Sequence, residues 1–527
     1  MKEHKRKGTN VLVAAFVVVG LMVPVQAMGQ LAPLPAPTLP DLTGIVVDQE
    51  AAIRLGKALF WDMQAGSDGR TACATCHFQA GADVRTRNTV NPGPNAAFDT
   101  VSGPGVPLPA TLPIAVASDD ILGSQGILRR NFVRPGRTGR DVCSAPVLDT
   151  LFGRSRQVTG RNSPSVINSI YHFRTFWDGR ANNIFNGVNP SGPGGVPPAS
   201  LPVRLVDGVP TQTEVAIPNA SLASQATGPP MDTVEMSCVG RTFPHLGRKM
   251  LRLRPLGLQR VARTDSVFST PRQLSLAPRP GLSTNYRAMI RQAFHPDWWR
   301  APADFRINGF TQMEHNFSLY WGLSIMLYQA TLVSDQTPLD NFLRNGTPLP
   351  ATLGNGNPTN GMGLFTGRGR CDQCHDGFLM SGAVGSAGNG FENIGVRPLA
   401  DDSGDVDNPG RGEFKTPGLR NIELTGPYFH NGGKATLRDV MEFYNLGGDF
   451  GDNNGNDRNQ LQQLDLTTVE LDDLVAFMLA CTDPRVKNES APFDHPTLVL
   501  PNGRNLPATG RGGRSARGLP PLAPFRP

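Results

Sequence analysis

Behind Asp48, a residue suited to cap a helix N-terminus, apolar positions recur at Ile53, Leu55 and Leu59, so a helix is predicted to run toward Cys73. Residues 311–333, "TQMEHNFSLYWGLSIMLYQATLV", are apolar nearly all round and read as a buried helix that opens a second domain. A third helix is framed by a Thr467/Glu470 capping box, an apolar stripe of Leu471, Leu474, Val475 and Met478, and Pro484 beyond its end. Between about 80 and 160, and again from 187 to 222, Gly, Pro, Asn and Ser dominate, which predicts long ordered loops. Residues 31–47 begin as a Pro-rich linker, and from 498 to 527 a basic tail with little to bury is expected to be disordered. The pattern as a whole predicts a mainly α chain.

At 527 residues the chain is long enough for two or more domains. Residues 1–30 place a basic start before an apolar run from Val11 to Val23, with small residues near Ala27, the layout of a signal peptide. The expectation is export to the periplasm, with an uncleaved N-terminal anchor as the alternative. The formal charge of +6 dissolves once located, because the first seven residues and the arginines of the tail account for it and leave the body slightly acidic. No basic face for nucleic acid is indicated.

Four of the seven cysteines stand in two copies of one string, C-x-x-C-H, at Cys73, Cys76 and His77 and at Cys371, Cys374 and His375. Two thiols three apart, followed by an imidazole, suit covalent attachment of a c-type haem whose iron the histidine ligates. A zinc reading would require four ligands converging on each site and would not call for the same string twice. The two motifs lie about three hundred residues apart, each near a helical segment, which predicts two cytochrome c-like mono-haem helical domains. Cys143, Cys238 and Cys481 remain; in an oxidising compartment Cys143 and Cys238 could pair across two loop-like regions, with Cys481 buried alone near the end of an apolar helix, and any two of the three are alternative partners.

The blocks "LGKALFWDMQAGSDGRTACATCH", "RNSPSVINSIYHFRTFWDGRA", "QATGPPMDTVEMS" and "FKTPGLRNIELTGPYFHNGGKATLRDVMEFYNLGG" resemble, in order, those of the bacterial di-haem cytochrome c peroxidases and their relative MauG, over about residues 48–490. The resemblance implies an N-terminal peroxidatic haem domain, here 48–305, and a C-terminal electron-transfer haem domain, here 306–497. Hydrogen peroxide would react at the first haem, and the second would store or relay oxidising equivalents. Trp177 matches the tryptophan between the haems, Glu235 the acid–base glutamate, and Gln225 and Pro229 two further residues of the same pocket. A carboxylate above a haem can take a proton from one peroxide oxygen and hand it to the other.

Two departures from the ordinary peroxidases carry weight. Their first haem is blocked at rest by a histidine on a loop after the first motif, but no histidine stands between His77 and His172, and His172 is too close to Trp177 to fill that loop. The resemblance therefore implies a five-coordinate N-terminal haem, as in MauG. The ordinary peroxidases also place a methionine ligand to the second haem fourteen positions after the histidine matched here by His430, and this chain has Tyr444 there, as MauG does. Phenolate is hard and anionic where thioether is soft and neutral, so it favours higher oxidation states of iron. Met441, one helical turn earlier, is the rival ligand.

The resemblance also implies one calcium ion, at Asn162, Thr425 and Pro427. His430 is expected to meet a propionate or a loop, and His245, His295, His315 and His495 match no ligand position. A small cytochrome c or cupredoxin would supply electrons, or a protein or organic substrate would be oxidised as by MauG. A dioxygenase of the rubber-oxygenase type and a non-catalytic electron-transfer cytochrome are the remaining readings.

Overall fold

Helix α1 (Gln49–Trp61) starts where the sequence places it: the Asp48 carboxylate accepts a hydrogen bond from the Ala51 amide at 2.9 Å, satisfying one of the open donors at the helix start. The computed structural model describes residues 31–109, 118–384, 390–402, 404–450 and 461–525, so the expected signal peptide lies outside the described residues. After α1 come α2 (Ser221–Ala226), α3 (Phe243–Met250), α4 (Tyr286–Ala293), α5 (Gln312–His315), α6 (Phe317–Gln329) and α7 (Pro338–Asn345). They are followed by α8 (Pro358–Phe365), α9 (Leu437–Leu446), α10 (Thr468–Ala480) and α11 (Pro484–Lys487). Among the described residues, strands form only short antiparallel pairs: β1 (Val90–Asn91) with β2 (Ile121–Leu122), β3 (Phe132–Arg134) with β4 (Val142–Cys143), β5 (Val203–Val206) with β6 (Val209–Gln212), and β7 (Phe391–Glu392) with β8 (Phe414–Lys415). The fold is helix-rich, joined by the long irregular connections that the Gly, Pro and Asn content predicts. No helix among the described residues is long and apolar enough to cross a membrane.

Two main hydrophobic clusters organise these helices. The larger joins α1 to α6, with Leu55, Tyr286, Phe317 and Trp321 fully buried. The other joins α7 to α10, with Leu339, Phe365, Leu474 and Phe477 at its centre. In both, a helix leading into a C-x-x-C-H motif crosses a later helix at a glycine. A Cβ on Gly56 of α1 would lie 1.9 Å from the Ser324 carbonyl oxygen of α6, and one on Gly361 of α8 would lie 1.9 Å from the Asp473 carbonyl oxygen of α10. Only a residue without a Cβ permits backbones to approach so closely.

Two expectations are corrected. Helix α6 does not open a second unit: every one of its residues is buried, and it packs against α1 and α2 in the larger cluster. A helix apolar all round has no face to give to water, so it is used at the centre of a core. The sequence from α7 onward supplies the second cluster, and Val486, Phe493, Leu498 and Leu522 return to the first. The tail is not disordered through 525 either. Leu498, Leu500, Leu522 and Phe525 are buried, Asn502 Nδ2 donates to Gln125 Oε1 at 2.6 Å, and Gln79 Nε2 donates to the Ala523 carbonyl at 2.9 Å. A few well-spaced apolar side chains, laid over an existing surface, suffice to order a segment that could not fold alone.

Candidate active site

Both C-x-x-C-H motifs form short turns, with 3₁₀ geometry over Cys73–Thr75 and Cys371–Gln373. His77 Nδ1 lies 2.8 Å from the Gly81 carbonyl oxygen and His375 Nδ1 lies 3.0 Å from that of Met380. Nδ1 can reach these carbonyls only as a donor, which leaves Nε2 with the lone pair that ligates a metal. The four thiols carry no disulfide. Beside each motif lies a cavity, of about 420 Å³ at the first and about 230 Å³ at the second, in an interior where ordinary voids seldom exceed a water molecule. Paired thiols, an oriented imidazole and a large adjoining cavity fit a covalently attached haem at both places.

The first cavity gathers Cys73, Cys76 and His77 with Gln225, Pro229 and Glu235. Gln225 comes from α2, and Pro229 and Glu235 from the loop that follows it. That loop is held from several sides: Ile127 N donates to the Val234 carbonyl at 2.9 Å, Gln157 Nε2 to that of Thr233 at 2.8 Å, and Arg241 Nη2 to that of Pro230 at 2.6 Å. Cys238, three residues beyond Glu235, is joined to Cys143 of β4 by a disulfide, and Cys481 is left as a buried free thiol. Glu235 is half-buried at the cavity edge, and burial, aided by Asp232, pushes its carboxyl up to about 8 against the opposing pull of Arg180. Among the described residues lining this cavity His77 is the only histidine, and Met236 also borders it.

Trp177 lines both cavities, as do Asn162, Ser163 and Pro164. Its indole Nε1 donates to the Asn162 carbonyl at 2.8 Å, and its own carbonyl accepts from the Lys415 amide at 2.8 Å. Beside it Asp178 accepts from both Arg161 and Arg180, at 2.6 and 2.9 Å. The residue is thus held by one hydrogen bond from its indole and one to its backbone, and it is bordered by a charged network.

The second cavity brings together Cys371, Cys374, His375, His430, Met441 and Tyr444. The last two lie on α9, one turn apart. The phenol of Tyr444 is raised by burial and by the Cys374 and Cys371 thiols, which places it within electrostatic reach of the motif. The His430 ring stacks on Phe414 at 3.6 Å between centroids, and its backbone carbonyl accepts from the Asn162 amide. The residues expected around calcium also meet here: Asn162, Thr425 and Pro427 border the cavity, and Asn162 Nδ2 lies 2.5 Å from the Pro427 carbonyl oxygen. They offer neutral oxygens only, and among the described residues no three His, Cys, Asp or Glu side chains are grouped so that they could hold a metal ion between them. His172, His245, His295, His315 and His495 line neither cavity.

The disulfide beside Glu235 is the Cys143–Cys238 pairing weighed in the sequence, whereas sequence reasoning did not reach the buried Lys415 of the second cavity or the paired glycine crossings. The last left a trace, since "GKALF" at Gly56–Phe60 and "GMGLF" at Gly361–Phe365 repeat a glycine and a phenylalanine four apart before each haem motif.

Residues 50–347 match the family model of the di-haem cytochrome c peroxidases. Over 508 residues the chain is 24% identical to the cytochrome-c peroxidase IdrP1 of Denitromonas iodatirespirans, a match that covers 89% of this chain and 91% of that one. The methylamine utilization protein MauG of Methylorubrum extorquens is 29% identical over 161 residues, or 29% of this chain and 42% of its own length. Among solved structures, the diheme peroxidase BthA from Burkholderia thailandensis aligns with a TM-score of 0.46 at 18% identity, over 91% of this chain and 100% of that one. With more than half of its length inside the family model and a peroxidase relative aligned along most of the rest, the chain belongs to the di-haem cytochrome c peroxidase family of oxidoreductases.

Proposed function

We propose that the protein is an exported peroxidase built from two mono-haem units, with an open site for hydrogen peroxide in the first cavity and a closed electron-transfer site in the second. The observation that supports this is that Glu235, Gln225, Pro229 and His77 border one cavity in which His77 is the only histidine among the described lining residues. When bound, the haem supplies the iron at which the O–O bond of peroxide is broken and the oxidising equivalents are held. Cys73, Cys76 and His77 would hold the first, and Cys371, Cys374, His375 and Tyr444 the second.

Glu235 takes a proton from one oxygen of the incoming peroxide and delivers it to the other, which leaves as water. The fixed loop around it lowers the cost of orienting that carboxylate. Gln225 offers a hydrogen bond to the bound molecule, and Pro229 narrows its approach. Trp177, bordering both cavities, is placed to lose an electron transiently and so divide one long transfer into two short ones. Electrons arrive from a small cytochrome c or cupredoxin. Asn162, Thr425 and Pro427 would hold calcium through carbonyl and amide oxygens, a donor set suited to a hard cation. The family resemblance of Tyr444 to the MauG position favours oxidation of a protein or organic substrate as the second reading.

The reading is tested by adding peroxide to the diferric, haem-loaded protein without prior reduction. Peroxide consumption should begin at once, and Glu235→Gln should slow it by about 10²–10⁴-fold. A lag that only reduction removes would contradict the open site.

A further inference from the structure

In the second cavity one cation stands apart from its neighbours. Of the arginines lining it, Arg370 is bonded to Gln462 at 2.8 Å, Arg397 to Asp401 at 2.6 Å and Arg420 to Asp340 at 2.7 Å. Lys415 lines the same wall and is only 5% exposed, yet its ammonium has neither a hydrogen bond nor an ion pair with any described residue. Its backbone is fixed on β8, paired with Phe391 of β7 and bonded to the carbonyl of Trp177. Glu392, on the next rung of that ribbon, borders the cavity too, but its carboxyl is shifted by burial and by Glu413 and not by Lys415.

A buried ammonium without a counter-charge is costly, and burial alone pushes Lys415 down to about 8. Such a group calls for an anion from outside the protein. The cavity adjoins Cys371 and Cys374, and the haem that those thiols would tether brings two carboxylates on one edge. We infer that Lys415 pairs with a propionate of the C-terminal haem, clamping that edge beside Trp177. The pairing joins the haem to the residue whose amide bonds the Trp177 backbone, so one strand contacts both.

The inference rests on the two-haem reading, so the test begins by counting haems in the full-length wild-type protein by its pyridine haemochrome absorbance. A count of one would overturn that reading and the inference with it. With two haems present, Lys415→Met and Lys415→Arg are compared with wild type by the resonance Raman propionate bending mode and the reduction potential of the low-spin haem. The expected result is a displaced mode and a lower potential in Lys415→Met, with Lys415→Arg close to wild type in both. An unmoved mode in a Lys415→Met protein that holds both haems overturns the inference alone. If Lys415→Met fails to retain the second haem, retention by Lys415→Arg supports a need for charge, and loss from both variants marks a packing role and overturns it.

Discussion

Glu235 shows how position sets the chemistry of a residue. Burial raises its carboxyl from an ordinary 4.5 to about 8, so below that pH it is neutral and cannot accept a proton from peroxide. The rate of the peroxide step should therefore climb with pH through about 8 in stopped-flow measurements, and this limb should vanish in Glu235→Gln. The same shift has a stability consequence of definite sign. A folded value above the unfolded one means that the folded state holds its proton more tightly, so the contribution is present below pH 4.5 and lost as pH rises through about 8. For the second iron the discriminating residues are Tyr444 and Met441. Tyr444→Phe should alter the low-spin ferric resonance signal and Met441→Leu should leave it unchanged, whereas the reverse would make the sulfur the ligand. The cysteines and histidines of the two C-x-x-C-H motifs were legible from their spacing, whereas Glu235, Gln225, Pro229, Trp177 and Tyr444 were expected only from the family resemblance. Lys415 was legible by neither route, because a lysine in a string declares neither burial nor the absence of a partner.

At the level of elements, α1 with α6 and α8 with α10 use one device. Each pair meets backbone to backbone at a glycine, and each precedes or braces a haem-binding turn. Gly56→Ala forces a methyl group against the Ser324 carbonyl, and overpacking of that kind costs about 1–3 kcal/mol where the backbone yields. Chemical denaturation of Gly56→Ala should show at least that loss, and an unchanged midpoint would mean that the helices separate freely. Helix starts were readable from side chains that act locally: Asp48 caps α1, and Thr467 with Glu470 caps α10, with Glu470 Oε2 accepting from the Thr467 amide at 2.8 Å. The partner of α6 was not readable. A helix apolar on all sides carries no periodic signal for which neighbour it meets, and only the close approach to Gly56 settles it.

Across the whole molecule, the chain closes on itself. The segment after α11 returns to the larger cluster, and Arg85 Nη1 and Asn502 Nδ2 bond it to the region following the first haem motif. Composition misled here, because average polarity hides the few buried positions, Leu500, Leu522 and Phe525, each worth about 1.5–3 kcal/mol when removed from water. Truncation after Thr497 should lower the thermal midpoint of the haem-loaded protein in scanning calorimetry, and an unchanged midpoint would reduce the tail to a passive cover. The proposed function requires the two cavities to differ, one open to peroxide and one closed for electron transfer. Electron paramagnetic resonance of the diferric protein tests it most directly. One high-spin signal from the haem held by His77 is expected beside one low-spin signal from its partner at His375, and two low-spin signals would rule out the open site.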